Sequence, residues 1–283
     1  MSAPDRPLDG LRALVVGGGS GIGLASARLL ARVGATVTLA GRTESKLAAA
    51  RDSLATNGAA VTYTVCDALD GGSVSTAVDA ASDDDGRLHI AVVVPGRGRT
   101  GPVLLADDDD FSSDIDANVR PVFLTLKYAG RAMLRAGSGS FVAISSTAAI
   151  MTSRFLASYC AGKAAVDQLV RVAADELGEY GIRVNGVRPG LTRTATTAGL
   201  FDDPATVAAF LAEQPLGRSG EASDIAAAVR HLAGPESSWT TGQLLTVDGG
   251  NTLRSFIDYR TVMPIPDVRE VVLATGRSAD SRS

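Results

Sequence analysis

The apolar run Leu14-Val15-Val16 passes directly into Gly17-Gly18-Gly19-Ser20-Gly21-Ile22-Gly23, and the chain continues with a helical pattern, Leu24-Ala25-Ser26-Ala27-Arg28-Leu29-Leu30. A strand that ends in clustered glycines and resumes as a helix is the first unit of a βαβ fold. Glycines permit φ > 0 and let the backbone approach a pyrophosphate closely, while the following helix N-terminus offers free N–H groups and the positive end of a dipole. A glycine triplet alone could be a tight turn. With these flanks it predicts a dinucleotide site at Gly17, Gly21 and Gly23, with Ser20 and Ile22 in the same turn.

The next strand pattern, Ala35-Thr36-Val37-Thr38-Leu39-Ala40, ends in Gly41-Arg42. It lacks the carboxylate that would hydrogen-bond the ribose 2′-hydroxyl of NAD. A guanidinium at that place suits a 2′-phosphate, so Arg42 favours NADP, with NAD as the alternative cofactor. The competing reading of Arg42 is a solvated surface charge ahead of a helix from Glu44 to Leu54.

Strand patterns near residues 11–16, 35–40, 60–65, 89–94, 140–145, 182–187 and 243–247 alternate with helical ones. That alternation predicts an α/β fold: one doubly wound, seven-stranded parallel sheet with helices on both faces. The chain has 283 residues, 45% hydrophobic and 20% charged, enough for one large core and a single domain. No internal repeat is present.

Ser146, Tyr159 and Lys163 are spaced to make a proton-transfer site. Tyr159 and Lys163 lie four apart in a helical pattern (Ala164, Ala165, Leu169, Val172, Ala173) and so share a face. An ammonium beside a phenol favours the phenolate and draws its pKa down from ~10 towards the working pH. Ser146 follows the apolar strand Phe141-Val142-Ala143-Ile144. Its hydroxyl is expected at the strand's carboxyl end, where open α/β sheets hold their ligands. A Tyr and a Lys four apart are by themselves more often a solvated helix face; the nucleotide motif upstream shifts the balance.

Taken together, residues 8–250 resemble the classical short-chain dehydrogenase/reductase family, whose fold is of the Rossmann type. The resemblance places Gly17, Gly21 and Gly23 on the family's glycine-rich turn, with Val16 where Thr is usual. It implies that Asp67, with Ala68 beside it, contacts the adenine, and that Asn118 supports a water relay from the lysine, completing a catalytic tetrad with Ser146, Tyr159 and Lys163. It also implies that Pro189, Gly190, Thr192 and Thr194 close over the nicotinamide and phosphates, and that helices carrying Asn118 and Tyr159 assemble a homotetramer or dimer. Residues 1–250 are then the nucleotide-binding domain, and 251–283 a C-terminal extension whose first part packs on the body or on a neighbouring subunit through Phe256, Ile257, Val262 and Val271-Val272-Leu273. The polar Ser278–Ser283 is expected to be disordered.

The family's Asn-Asn-Ala-Gly at the fourth strand is here Val93-Val94-Pro95-Gly96. Only the glycine, Gly96, is retained as a cofactor-contact residue. Two readings follow: β-branched residues packing a tighter buried strand, or a shifted adenine or ribose contact. From Thr192 to Pro215 the resemblance implies a lid. Its apolar Leu200, Phe201, Val207, Phe210 and Leu211 either contact a hydrophobic substrate or form the packing face of a lid helix. Arg97, Arg99 and Arg154 either line the site mouth or face solvent.

A net charge of −4 gives no basic patch for nucleic acid or anionic membrane. No apolar run reaches the ~18 residues of a membrane span, and the N-terminus lacks an apolar signal core, so a cytoplasmic location is expected. Cys66 and Cys160 read as reduced structural thiols. His89 and His231 lack ligand-spaced companions, and the runs Asp83-Asp84-Asp85 and Asp107-Asp108-Asp109-Asp110 read as solvated capping charge, so no metal is expected. The expected function is hydride transfer between NADP(H) and a secondary alcohol or ketone, with an apolar carbonyl as substrate. The alternatives are an NAD-linked alcohol dehydrogenase of the same family and a low-activity dinucleotide-binding regulatory or scaffold protein.

Overall fold

The computed structural model describes residues 6–55, 60–255 and 257–275. The β-branched runs form β1 (Arg12–Val16), β2 (Thr36–Gly41), β3 (Val61–Val65), β4 (Ile90–Val93), β5 (Gly139–Ile144) and β6 (Ile182–Pro189), followed by two short strands, β7 (Thr192–Arg193) and β8 (Gly220–Glu221), and by β9 (Leu244–Val247). Seven of these make one parallel sheet in the order β3-β2-β1-β4-β5-β6-β9, as expected. β7 and β8 pair with each other outside it. A two-residue strand carries no periodicity, which is why the sequence did not reveal this pair.

Eight helices connect the strands among the described residues: α1 (Gly21–Arg32), α2 (Glu44–Ala55), α3 (Gly71–Ala81), α4 (Asp108–Ala136), α5 (Ala157–Leu177), α6 (Pro204–Ala212), α7 (Ala222–Ala233) and α8 (Val268–Thr275). Strand side chains alternate between the two faces. Leu14 and Val16 pack into a core with Val74 of α3, Met133 of α4 and Val166 of α5, whereas Ala13 and Val15 face Leu30 of α1, Leu47 of α2 and Val229 of α7. Chain order reverses between β1 and β4, and the crevice above that switch point is where an open α/β sheet binds its ligand.

Both acidic runs serve the backbone. Asp107 caps α4, accepting from the Asp109 and Asp110 amides at 3.0 Å each, and Asp108 to Asp110 fill the first turn, favoured by the helix dipole. Asp83 accepts from the Asp85 and Arg87 amides at 3.1 and 2.8 Å and from Arg87 Nε at 2.8 Å, bonds that hold its carboxyl below the usual range. His89 is likewise structural, its Nδ1 accepting the Arg12 amide at 3.2 Å. Both cysteines are free. Cys66 is buried, which raises its thiol pKa, and Cys160 Sγ lies 3.8 Å from the Ser153 carbonyl. No helix among the described residues is long and apolar enough to cross a membrane.

After β9 the chain folds back on the body. Ile257 is buried and Val262 packs beside it. On α8, Val271 is partly buried, whereas Val272 and Leu273 are 44% and 71% exposed. Phe256 and Ser278–Ser283 lie outside the described residues.

Candidate active site

A cleft of about 310 Å³ opens over the switch point, and Gly17, Ser20, Arg42, Asp67, Ala68 and Gly96 all line it. Its floor admits only glycine. Gly17 has φ +84°, and a Cβ there would stand 3.0 Å from the Val94 carbonyl oxygen; one on Gly23 would lie 2.1 Å from that of Gly17. The first bond of α1 runs from the Leu24 amide to the Ser20 carbonyl at 3.1 Å, so the amides of Gly21, Ile22 and Gly23 precede it as open donors at the helix N-terminus. Ile22 turns its side chain into the core. Thr194 sits against this end of α1, with its Cβ 3.4 Å from where a Gly21 Cβ would be. These features suit a dinucleotide: a tight glycine cradle, free amides and no side chain between them.

At the far end of the cleft Arg42 is exposed and forms no salt bridge among the described residues. Lys46 lines the same wall. Its position four residues past Arg42 is the one signal for it in the sequence. Asp67 is turned inward at its backbone, where its Oδ1 accepts the Leu69 amide at 3.0 Å.

The altered β4 terminus fits the cleft by a different route. Val92 and Val93 are wholly buried, as expected of a tightly packed strand, while Val94 lines the cleft. Pro95 lacks an N–H, but its carbonyl accepts Lys163 Nζ at 3.0 Å, so the segment that departs from the family's motif still anchors the lysine.

Asn118 and Lys163 meet beside Gly96, Tyr159 stands against Gly98, and Ser146 hydrogen-bonds with Tyr159. A Cβ on Gly96, which has φ +120°, would lie 2.5 Å from Asn118 Oδ1 and 3.0 Å from Lys163 Nζ. The Lys163 ammonium donates to the carbonyls of Pro95 and of Ile144, the latter at 3.1 Å. Burial pulls its pKa down to about 7, against the opposing pull of the Asp167 carboxylate. Asn118 Nδ2 donates to the Arg97 and Asp114 carbonyls at 2.7 and 2.8 Å, and its buried Oδ1 has no partner among the described residues. Ser146 caps the short turn after β5, its Oγ accepting the Ala148 amide at 3.2 Å.

The phenol differs from expectation. Burial raises the Tyr159 pKa, and a hydrogen bond with Ser146 opposes the rise. Lys163 Nζ lies 5.5 Å from the ring centroid, over the face of the ring, and spends its donors on backbone carbonyls.

Two buried carboxylates that the sequence reading passed over brace this cluster. Asp114, 1% exposed, accepts from the Arg99 amide at 2.8 Å, Arg99 Nη1 at 2.6 Å, Arg97 Nε at 3.3 Å and Ser158 Oγ at 3.0 Å. It therefore joins the loop after β4 to the residue before Tyr159. Arg97 and Arg99, candidates for the site mouth, are half-exposed and already paired through it. Asp167, 2% exposed, accepts Ser145 Oγ at 2.5 Å and Arg188 Nε at 2.7 Å, linking β5, α5 and β6 behind Lys163. Both contacts are side-chain pairings between distant elements, which leave no local pattern.

The segment after β6 holds the remaining predicted residues. Gly190 donates its amide to Val247 at 3.0 Å, and a Cβ there would meet Asp248 Cα at 2.8 Å. Thr192 is buried, with Oγ1 donating to the Gly190 carbonyl at 3.0 Å. Thr197, another residue the sequence reading did not select, lies 3.1 Å from Thr194 through their hydroxyls. Pro189 ends β6 at the same edge. In the segment expected to form a lid, Phe210 is buried and Leu200 partly so, while Arg193 stacks over Phe201 at 3.9 Å. Arg154, the third arginine, bridges to Asp258 at 2.6 Å. Among the described residues there is no group of three or more His, Cys, Asp or Glu placed to hold a metal ion.

This arrangement has close counterparts. The family described as enoyl-(acyl carrier protein) reductase matches residues 17–252. Galactitol 2-dehydrogenase (L-tagatose-forming) of Cereibacter sphaeroides is 37% identical over 87% of this chain and 96% of its own length. A short-chain type dehydrogenase/reductase from Mycobacterium ulcerans superposes with a TM-score of 0.87 at 39% identity, over 90% of this chain and 94% of that one. A gluconate 5-dehydrogenase from Burkholderia cenocepacia J2315, solved in complex with NADP and tartrate, gives a TM-score of 0.82 at 33% identity, over 88% and 98% of the two chains. The glycine-cradled cleft, the seven-stranded sheet and these similarities establish that the chain belongs to the short-chain dehydrogenase/reductase family and is an NAD(P)-dependent oxidoreductase.

Proposed function

We propose that this oxidoreductase uses NADP(H) to interconvert a secondary alcohol and a ketone with an apolar flank, through Tyr159, Ser146, Lys163 and Asn118. The observation that carries the reading is that Asn118 and Lys163 meet at Gly96, a residue lining the nucleotide cleft, while Tyr159 stands against Gly98 two residues on and is hydrogen-bonded with Ser146. The bound nicotinamide would supply or accept the hydride. Gly17, Ser20, Gly21, Ile22 and Gly23 would hold the pyrophosphate, Asp67 and Ala68 the adenine, and Pro189, Gly190, Thr192 and Thr194 the nicotinamide end. Tyr159 would exchange a proton with the substrate oxygen, and Ser146 would hydrogen-bond that oxygen. Lys163, fixed by two carbonyls, would stand beside the phenol and bind the nicotinamide ribose. The open acceptor Asn118 Oδ1 would seat a relay water.

NADP is favoured by Arg42, which has no ion-pair partner among the described residues, and by Lys46 on the same wall, and a relative of similar fold was solved with NADP. Paired titrations with NADPH and NADH, followed by fluorescence, test the preference; tighter NADH binding would overturn it. We further assign residues 1–250 to the nucleotide-binding unit, 251–283 to an appended segment, and a cytoplasmic location in keeping with free thiols. A homotetramer or dimer is supported by the apolar stripe on α4, where Phe111 and Phe123 are 40% and 48% exposed beside Ile115 and Val119. A sedimentation mass equal to one chain would refute assembly.

A further inference from the structure

The family match ends at residue 252, yet the chain beyond it is tied to the substrate side of the site. Asn251 Nδ2 donates to the Glu213 and Ser255 carbonyls at 3.2 and 3.0 Å, and the Ser255 amide and hydroxyl donate to Glu213 Oε2 at 3.1 and 3.0 Å, at the end of α6. Ile257 and Tyr259, 7% and 6% exposed, then seat against Phe210 of α6 and against Phe155 and Leu156, which lead into α5. The Tyr259 ring meets Phe210 edge-on, with centroids 6.4 Å apart and planes at 80°. Asp258 pairs with Arg154 at 2.6 Å and with Arg260 at 2.5 Å.

Phe155 is strained. Its φ of +68° is the one left-handed value for a non-glycine among the described residues, at a bulky residue four positions ahead of Tyr159. The Gly101 amide grips its carbonyl at 2.8 Å, and its ring lies in the cluster with Tyr259. Such strain persists where the surroundings over-determine it, as at a ligand clamp.

We propose that Ile257–Met263 forms the outer wall of the substrate site and that Tyr259 is its specificity-determining residue, selecting a carbonyl flanked by alkyl or aryl groups over a polyol. The inference rests on the hydride-transfer reading and names its substrate class. Hydroxyls pressed against Phe155, Phe210 and Tyr259 would lose water without gaining partners, whereas an alkyl chain gains contact. The same cluster includes Leu191, between β6 and β7, and Leu156, three residues ahead of Tyr159, so the wall borders the proposed acid; burial first, and then Tyr159 and Cys160, push the Tyr259 phenol up to about 12.

The test is oxidation of octan-2-ol, butan-2-ol and galactitol by the full chain with NADP⁺ and with NAD⁺. Octan-2-ol should exceed galactitol in kcat/KM by at least about tenfold, and Tyr259→Ala should lower the octan-2-ol to butan-2-ol ratio by about tenfold. Tyr259→Trp, which keeps an aromatic ring in the cluster, guards against a folding defect in the alanine variant and should shift the same ratio. Preference for galactitol, or equal losses on all three alcohols in both variants, overturns the wall while hydride transfer stands. No oxidation of any alcohol with either cofactor, in protein shown by fluorescence to bind cofactor, overturns the hydride-transfer reading and this inference with it.

Discussion

Around Tyr159 the polar groups are buried and tied to backbone or to one another, whereas around Arg42 they are exposed and held by little beyond their own segment. Lys163 grips two carbonyls, Asn118 two more, and Asp114 and Asp167 each clamp several elements. Arg42 and Lys46 simply stand at the cleft wall. The first region is over-determined: moving one group leaves another buried without a partner, which costs far more than the contact itself contributed. The second can change a side chain at small cost to the fold, and so is where cofactor preference can be altered independently of chemistry.

That contrast can be broken by experiment. The largest effect is expected for Tyr159→Phe, which should cut kcat by roughly 10² to 10⁴-fold while cofactor affinity stays within about threefold, as rates and fluorescence titration would report. A comparable loss of affinity would mean that the phenol is a binding group. Asp167→Ala should lower unfolding free energy by about 3–5 kcal/mol in denaturant titration, because it strands Arg188 in the interior. An Asp167 variant as stable as the parent would erase the distinction between the two regions.

A smaller effect is expected at Arg42. Arg42→Leu should weaken NADPH binding by about tenfold and leave NADH nearly unchanged, and equal effects would show that Arg42 does not bind the 2′-phosphate.

Lys163 sharpens the comparison through pH. With its folded pKa lowered to about 7, the unfolded chain binds the extra proton between about pH 7 and the ordinary lysine value, so this group's penalty is fully present below pH 7 and is relieved as pH rises. Stability of the parent relative to Lys163→Met should therefore rise across that window, by at most about 1.4 kcal/mol per pH unit. A flat difference from pH 6 to 10 would show that the amine is not held against its charge. The smallest effect is expected at the surface: Arg218→Ala breaks its 2.7 Å pair with Asp224 and should leave the midpoint of the same denaturant titration nearly unchanged.

Much of the frame was legible in the sequence because its signals are local. Strand, glycine turn and helix follow one another within residues 12–32, the four-residue Tyr159 to Lys163 spacing lies on one helix, and Ser146 follows one strand. The acidic run at Asp107 declared a helix start for the same reason. The two-residue strands β7 and β8 were too short to show a period, and the exposure of Leu273 depends on what its helix packs against, which no periodicity contains.

The sequence by itself therefore determined the sheet, the glycine cradle and the candidates for proton transfer, since each is written in residues close enough in the chain to share a turn, a strand or a helix face. Only the tertiary structure decided that Asp114 would pair with both Arg97 and Arg99, that the Pro95 carbonyl would anchor Lys163, that Asp167 would hold Arg188, and that the residues past 252 would return to pack against α6. Those contacts join residues from distinct elements, and their energies depend on burial and mutual geometry, which exist only once the chain has folded.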